Sequence, residues 1–197
     1  MRVLRPIFAA GLLGLLASPV LAQDRYATVD VRAGYTFGSG EAKDSLKGQS
    51  SFGGGAYIAL GDRLHLGLSA DWAHHSQKLP DGTVIGGPDD LQWSVLHTFL
   101  KASFDLVHTA KVTFAVNAGP GIMVFSPNQQ LKDTRGVKSD VHFAANAGAT
   151  VTYWFADRIG LIGSAQADLA LKKTKGQIFT DKTAMMFPIT GGFAFKI

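Results

Sequence analysis

The sequence predicts an all-β protein, an eight-stranded antiparallel up-and-down transmembrane β-barrel. Three observations point there. Eight stretches after residue 23 alternate apolar with polar or small residues at period 2, which sends the two sets to opposite faces of a strand. The links between the stretches alternate strictly between long and short. Aromatic residues gather near both ends of the stretches, with an aliphatic band between them.

Taken in order, the first strand, 26–37, sets Val29, Val31, Ala33, Tyr35 and Phe37 against Asp30, Arg32, Gly34 and Thr36. The second, 51–60, sets Phe52, Ala56, Ile58 and Leu60 against Ser51, Gly53, Gly55 and Tyr57. In the third, Leu64, Leu66, Leu68, Ala70 and Trp72 alternate with His65, Gly67, Ser69 and Asp71. The fourth places Leu96, Leu100, Ala102, Phe104 and Leu106 opposite His97, Lys101, Ser103 and Asp105. The fifth sets Val112, Phe114, Val116, Ala118 and Ile122 against Lys111, Thr113, Asn117 and Gly119. The sixth pairs Val141, Phe143, Ala145, Ala147, Val151 and Tyr153 with His142, Asn146, Gly148, Thr150 and Thr152. The seventh sets Ile159, Leu161, Ala165, Leu169 and Leu171 against Gly160, Ser164, Gln166 and Asp168. The eighth runs Phe187, Ile189, Gly191, Phe193, Phe195, Ile197 at every second residue. No segment sustains a helical period. The glycine run 53–55 reads as strand curvature or a bulge.

Long polar links fall at 38–49, 76–90, 126–140 and 173–182, and short turns at 61–62, 107–109 and 156–157. That is the hairpin layout of an up-and-down barrel, with short turns expected toward the periplasm and long loops toward the outside. The contexts Leu60-Gly61-Asp62-Arg63-Leu64 and Phe155-Ala156-Asp157-Arg158-Ile159 repeat one another and read as equivalent hairpin turns.

The N-terminus reads differently. Arg2 and Arg5 begin it, 7–16 is an apolar run, and Pro19 precedes Val20-Leu21-Ala22, a small-residue ending suited to cleavage before Gln23. This predicts a secretory signal peptide at 1–22 and a barrel domain at 23–197. The apolar run is well short of the ~20 residues a spanning helix needs. Loss of Arg2 and Arg5 halves the formal net charge of +4, and such a balance does not call for nucleic acid. Cysteine is absent, which excludes disulfides, thiol nucleophiles and Cys-ligated metals. No cofactor is expected. The 23 glycines and 10% aromatic content suit a sheet protein with tight turns.

A soluble barrel would turn the apolar face inward around a ligand. The opposite face is rich in Gly, Ser, Thr and Ala with few charges, which suits a lumen better than a water-facing exterior. Tyr35, Phe37, Phe52, Trp72, Trp93, Phe125 and Phe187 would then form the loop-side aromatic level, and Phe104, Tyr153, Phe155 and Phe195 the turn-side one.

With those strands, the closing run Phe193-Ala194-Phe195-Lys196-Ile197 and the glycine-rich Asn117-Ala118-Gly119-Pro120-Gly121, the mature chain resembles the small eight-stranded outer-membrane β-barrel superfamily. That group includes the OmpA transmembrane domain, OmpX and the adhesion and invasion barrels, OmpW, and the lipid A-modifying barrels. Members typically end in Phe or Trp, and this chain ends in Ile197. The resemblance implies a cell outer membrane location, assembly by the barrel-assembly machinery, and contact with outer-membrane lipid and lipopolysaccharide. No wall-binding domain is expected after the last strand.

The inward set holds Asp30, Asp71, Asp105, Asp168, Arg32, Lys101, His65, His97, His142, Asn117, Asn146 and Gln166. An eight-stranded barrel is just wide enough for side chains to fill. A hydrogen-bonded, salt-bridged core is therefore expected, with a narrow channel for ions or small solutes as the alternative. His65, His97 and His142 lie on different strands without a second ligand nearby in sequence, so no metal site is assigned.

At the start of the second long link, parity places His74 and Ser76 outward beside Trp72. A His-x-Ser pair there resembles the lipid A 3-O-deacylase barrels, which would make Ser76 the nucleophile, His74 its base and Asp89 or Asp90 the orienting acid. Gln77-Lys78 replaces the Asn-Ala of that motif, and the pair falls on the third strand rather than late in the chain. A loop start with two histidines is the preferred reading, and no catalytic residue is assigned. Lys132, Arg135 and Lys138 in the third loop and Lys172, Lys173 and Lys175 in the fourth are candidate contacts for lipopolysaccharide phosphates. The function expected is non-enzymatic, envelope integrity or surface interaction through the extracellular loops. Conduction is the first alternative and lipid A modification the second.

Overall fold

A computed structural model describes residues 26–39, 42–43, 46–76, 92–171 and 183–197. The expected signal segment, most of the second and fourth long links, and Asp89 and Asp90 lie outside the described residues. The order is β1 (Ala27–Ser39), β2 (Gln49–Ala59), β3 (Leu64–Ser76), β4 (Gln92–His108), β5 (Val112–Pro127), α1 (Gln129–Arg135), β6 (Asp140–Trp154), β7 (Ile159–Ala170) and β8 (Ala184–Lys196). Consecutive strands pair antiparallel, and β1 pairs with β8 from Thr28↔Lys196 to Ser39↔Met185, closing the barrel. The sequence-predicted strands are the observed ones, most of them longer toward the loops; β7 ends one residue earlier than expected, at Ala170, and β4 runs to His108, through most of the expected turn 107–109.

Burial follows parity. Val31, Leu68, Phe143 (78% exposed), Leu161 and Ile189 face outward, while Asp30, Arg32, Lys101 and Asp168 (1% exposed) face inward. An exterior of exposed Phe, Leu, Ile and Val around a charged interior inverts a soluble protein, and lipid is the solvent that this exterior fits. On the loop side Phe37 stacks on Phe187 at 5.5 Å, and Phe52 meets Trp72 edge-on at 4.7 Å. Phe104, Tyr153, Phe155 and Phe195 are exposed at the turn side.

Three expectations need correction. Trp93 and Phe125, placed in the loop-side aromatic level, are buried inside the barrel. Their parity explains it: they are odd-numbered on β4 and β5, whose outward residues are even. The run Gly53-Gly54-Gly55 is not a bulge, since the β1–β2 register runs unbroken from Ala27↔Ile58 to Thr36↔Gln49. The run also makes room: the Tyr57 ring lies across Gly55 and Gly67, and Asp71 lies against Gly53, where a Cβ would collide. The observed register shift is between Asp105 and Val107, against β5.

The third correction is α1, a helix within a loop that shows no helical period. Its ends are nonetheless written locally. Asn128 Oδ1 accepts from Leu131 N at 2.9 Å, and Gly136 at φ 64° donates its N–H to the Lys132 carbonyl. At the short turns, the Arg63 and Arg158 carbonyls accept from Asp105 N (2.8 Å) and Lys196 N (2.9 Å) on the adjoining strand. The two turns are equivalent in that respect.

Leu68 pairs with Ala56 and Leu100 near the middle of the outward face. Leu68→Arg should cost about 2–4 kcal/mol in folding into lipid vesicles, whereas Met185→Arg at the loop end of β8 should cost about 1 kcal/mol or less. Urea titration of heat-modifiable gel mobility reads both. Equal effects, or a compact β spectrum in detergent-free buffer, would contradict a lipid-facing band.

Candidate functional site

The lumen is layered along the barrel axis. At its middle, Arg32 on β1 lies 2.8 Å from Asp30 through Nε and 3.5 Å from Asp71 of β3 through Nη2. The Nε contact lies outside hydrogen-bond geometry, so its attraction is Coulombic. Arg32 Nη1 also donates to Ser164 Oγ of β7 at 3.3 Å. Gln166 Nε2 donates to the same Ser164 Oγ at 2.7 Å, and its Oε1 accepts from Lys101 Nζ of β4 at 3.4 Å. His97 Nδ1 on β4 meets Asp168 Oδ2 on β7 at 2.6 Å, and Asn146 Nδ2 on β6 donates to Asp168 Oδ1. These links cross the lumen from β1 to β3 and β7, and from β4 to β7. Arg32, Lys101, Asp168 and His97 are all at most 4% exposed, and charges at that depth persist only when paired. The expected filled ionic core is present.

Toward the loops the lumen turns apolar. Trp93, Val95 and Phe99 from β4, Met123 and Phe125 from β5, and Met186 from β8 form one buried cluster. Leu46 of the first link and Leu131 of α1 complete it from above, each at most 2% exposed. Hydrogen bonds hold this cover down. His75 Nδ1 meets the Lys47 carbonyl at 3.0 Å, Gln49 Nε2 donates to Ser76 Oγ at 2.7 Å, and Asn128 N donates to the Gln92 carbonyl at 2.8 Å. Parity marks Trp93, Phe125 and Met186 as inward, but no sequence pattern says that Leu46 and Leu131 fold back onto them.

Toward the turns the lumen is polar again and less tightly filled. Asp105 Oδ2 meets His65 Nε2 at 3.2 Å and His108 Nδ1 at 2.8 Å. A cavity of about 70 Å³ lies between this end and the ionic layer, lined among others by Asp30, Asp105, Asn117 and Trp154. Among the described residues no three His, Cys, Asp or Glu side chains lie close enough to hold a metal ion.

The His74–Ser76 pairing does not form. Ser76 is buried at 3% exposure and holds Gln49, and His74 Nδ1 instead contacts Ser94 Oγ at 3.0 Å while its ring packs 4.1 Å from Trp72. The β3–β4 ladder continues in register to Ser76↔Gln92, and the first link covers Ser76 through Gln49 and through Lys47 N, which donates to the Ser76 carbonyl at 2.9 Å. Of the cationic candidates, Lys132 lies half-buried on α1 and Lys138 is exposed before β6. The Arg135 side chain, Lys172, Lys173 and Lys175 lie outside the described residues.

Removing one member of the ionic layer leaves the others buried without a counter-charge. Arg32→Met should therefore destabilise the barrel by about 3–5 kcal/mol, while Arg32→Lys should cost less, because the charge stays but the link to Ser164 is lost. Denaturant titration in micelles measures both, and a neutral Arg32→Met would mean that the network does not brace the wall.

No protein-family model and no curated protein matches this chain. Solved structures do. The N-terminal β-barrel domain of Pseudomonas aeruginosa OprF is similar at TM-score 0.55 and 16% identity, over 89% of this chain and 98% of that one. Neisserial surface protein A is similar at TM-score 0.57 and 14% identity, over 89% and 98%. A major outer membrane protein from Thermus thermophilus is similar at TM-score 0.55 and 16% identity, over 89% and 100%. Identities this low speak to the fold. With a closed eight-strand ring, an apolar exterior and a charged lumen, this chain has the fold of the small outer-membrane β-barrels.

Proposed function

We propose that this protein is a non-enzymatic, non-conducting barrel of the cell outer membrane that acts through its extracellular loops, in envelope integrity or surface interaction. The observation that carries this reading is the apolar cluster across the loop end of the lumen. Ions cross a hydrophobic constriction only by paying for dehydration, and in the ionic layer beneath it Arg32 is already paired with Asp30 and Asp71, and Asp168 with His97. The alternative of a narrow channel has to open both layers at once.

On this reading the useful surface is outside. Leu131 anchors α1 to the cluster, which gives Lys132 a fixed base, and Lys138 follows on the exposed approach to β6. Lys132, Arg135 and Lys138, with Lys172, Lys173 and Lys175 of the fourth loop, would engage lipopolysaccharide phosphates in the facing leaflet. Short turns toward the periplasm set that orientation. The barrel-assembly machinery would be the partner in biogenesis, reading the closing strand β8.

In planar bilayers the purified protein should give no discrete conductance steps. Reproducible steps that vanish on neutralising Lys101 would overturn the filled-lumen reading. Replacing Lys132 and Lys138 together with Gln should weaken lipopolysaccharide binding several-fold, since each cation near an anionic surface is worth about 1 kcal/mol. Vesicle co-flotation with and without lipopolysaccharide measures it, and an unchanged partition would remove these two cations from the contact.

A further inference from the structure

Four histidines of this chain are buried: His65, His75, His97 and His142. Three of them touch a carboxylate. His65 Nε2 meets Asp105 at 3.2 Å, His97 Nδ1 meets Asp168 at 2.6 Å, and His142 Nε2 lies 3.4 Å from Asp140. In each case a counter-charge stands beside the ring, ready for an imidazolium. His75, with no exposed surface, touches no carboxylate among the described residues.

Its position makes that difference matter. His75 stands at the loop end of β3, paired across the ladder with Trp93 of the apolar cluster and covered by the first link. Its Nδ1 lies 3.0 Å from the Lys47 carbonyl. A carbonyl only accepts, so Nδ1 carries the proton and Nε2 keeps its lone pair. That Nε2 is buried without a hydrogen-bond partner. The ionisable side chains around it offer nothing to balance a charge. His97 of β4 is committed to Asp168 of β7, and His74 on β3 itself has its Nδ1 at Ser94 Oγ. The first link presents the Lys47 carbonyl, while Lys47 as a residue is exposed. His97 Nε2 also lacks a partner, but Asp168 on the other nitrogen compensates that ring. A second proton on His75 would therefore leave a buried cation unpaired, and a charge at that depth needs a partner or water. What stands between His75 and water is the first link. Residues 47–49 are fastened to His75 and Ser76 by the His75–Lys47 contact, by Lys47 N on the Ser76 carbonyl at 2.9 Å and by Gln49 Nε2 on Ser76 Oγ at 2.7 Å.

We propose that His75 is an acid-released latch on the first link. At neutral pH the uncharged ring donates to Lys47 and the link stays seated, with Leu46 in the apolar cluster. When Nε2 takes a proton, the link lifts from residues 75 and 76, water reaches the imidazolium, and the loop end of the lumen is uncovered. Only the lifted form gains the proton. The seated form is therefore fully favoured above about pH 6.5, the range of a hydrated imidazole, and the ratio of lifted to seated rises about tenfold for each pH unit below it. The third link is fastened separately, by Leu131 and by Asn128 N on the Gln92 carbonyl, and is not part of the latch. The latch concerns how the first link is seated and stands whatever the loops bind.

The test follows backbone amide exchange by NMR on the folded barrel in detergent micelles, as protection factors corrected for the intrinsic effect of pH. Protection of the Lys47 amide should fall about tenfold or more between about pH 6 and about pH 4.5, while that of the Asn128 amide stays constant. His75→Asn keeps an N–H for the Lys47 carbonyl and does not titrate, so its Lys47 protection should be flat over the same range. A flat profile in the unaltered protein, an equal loss at Asn128, or the same loss in His75→Asn overturns the proposal. If His75→Asn does not fold, the unaltered protein decides by itself. The His75 ring resonances and the Lys47 protection should then change with one midpoint, and separate midpoints overturn the latch.

Discussion

A sheet edge exposed to hydrocarbon leaves backbone N–H and C=O groups without partners, at several kcal/mol each. The ladder from Thr28↔Lys196 to Ser39↔Met185 removes that edge, and everything else in this protein depends on it. Closure consumes the first and last strands together, so no hairpin can be satisfied in lipid by itself. It also fixes the lumen at a width that side chains fill. The backbone groups outside the ladder are handled at the ends: Ala27 N and Ile197 N exchange bonds with each other's carbonyls at 3.2 and 2.8 Å.

Given that width, the lumen must satisfy its own residues, and it does so by depth. At mid-depth charged and polar side chains pair across the barrel, Arg32 with Asp71, Lys101 with Gln166 and His97 with Asp168. At the loop end the inward residues are Trp93, Phe125 and Met186, which need apolar cover and find it in Leu46 and Leu131. The two solutions depend on each other. The apolar cover keeps water from the ionic layer, which strengthens each pair, and the ionic layer holds β1, β3, β4 and β7 at the spacing the cover requires.

The turn end follows a third logic. Asp105 takes two imidazoles on one oxygen, and the strand register slips next to it at Val107. The space left there is lined by the carboxylates of Asp30 and Asp105 and by the hydroxyls of threonine, serine and tyrosine. The same lumen therefore contains a cross-linked ionic layer and an unfilled space within the length of one strand.

Period-2 alternation determined the strands, their faces and the closed antiparallel order, because each strand in a bilayer faces lipid on one side and lumen on the other. It also determined which charges lie inside, from Asp30 to Asp168, and even Trp93 and Phe125 carried the correct parity. What it could not determine is how far a side chain reaches across the lumen. The pairing of Arg32 with Ser164 joins residues 132 positions apart, and that of Lys101 with Gln166 joins residues 65 apart. Such partners are selected by barrel shear and side-chain length, which leave no local pattern. The loops were least legible: α1 has caps but only seven residues, too few to show a period, and Leu46 and Leu131 are single apolar residues in polar links. Their burial, the exchange of Ser76 for Ser94 beside His74, and the cavity under Asn117 were decided only when closure of the barrel brought distant strands to one axis.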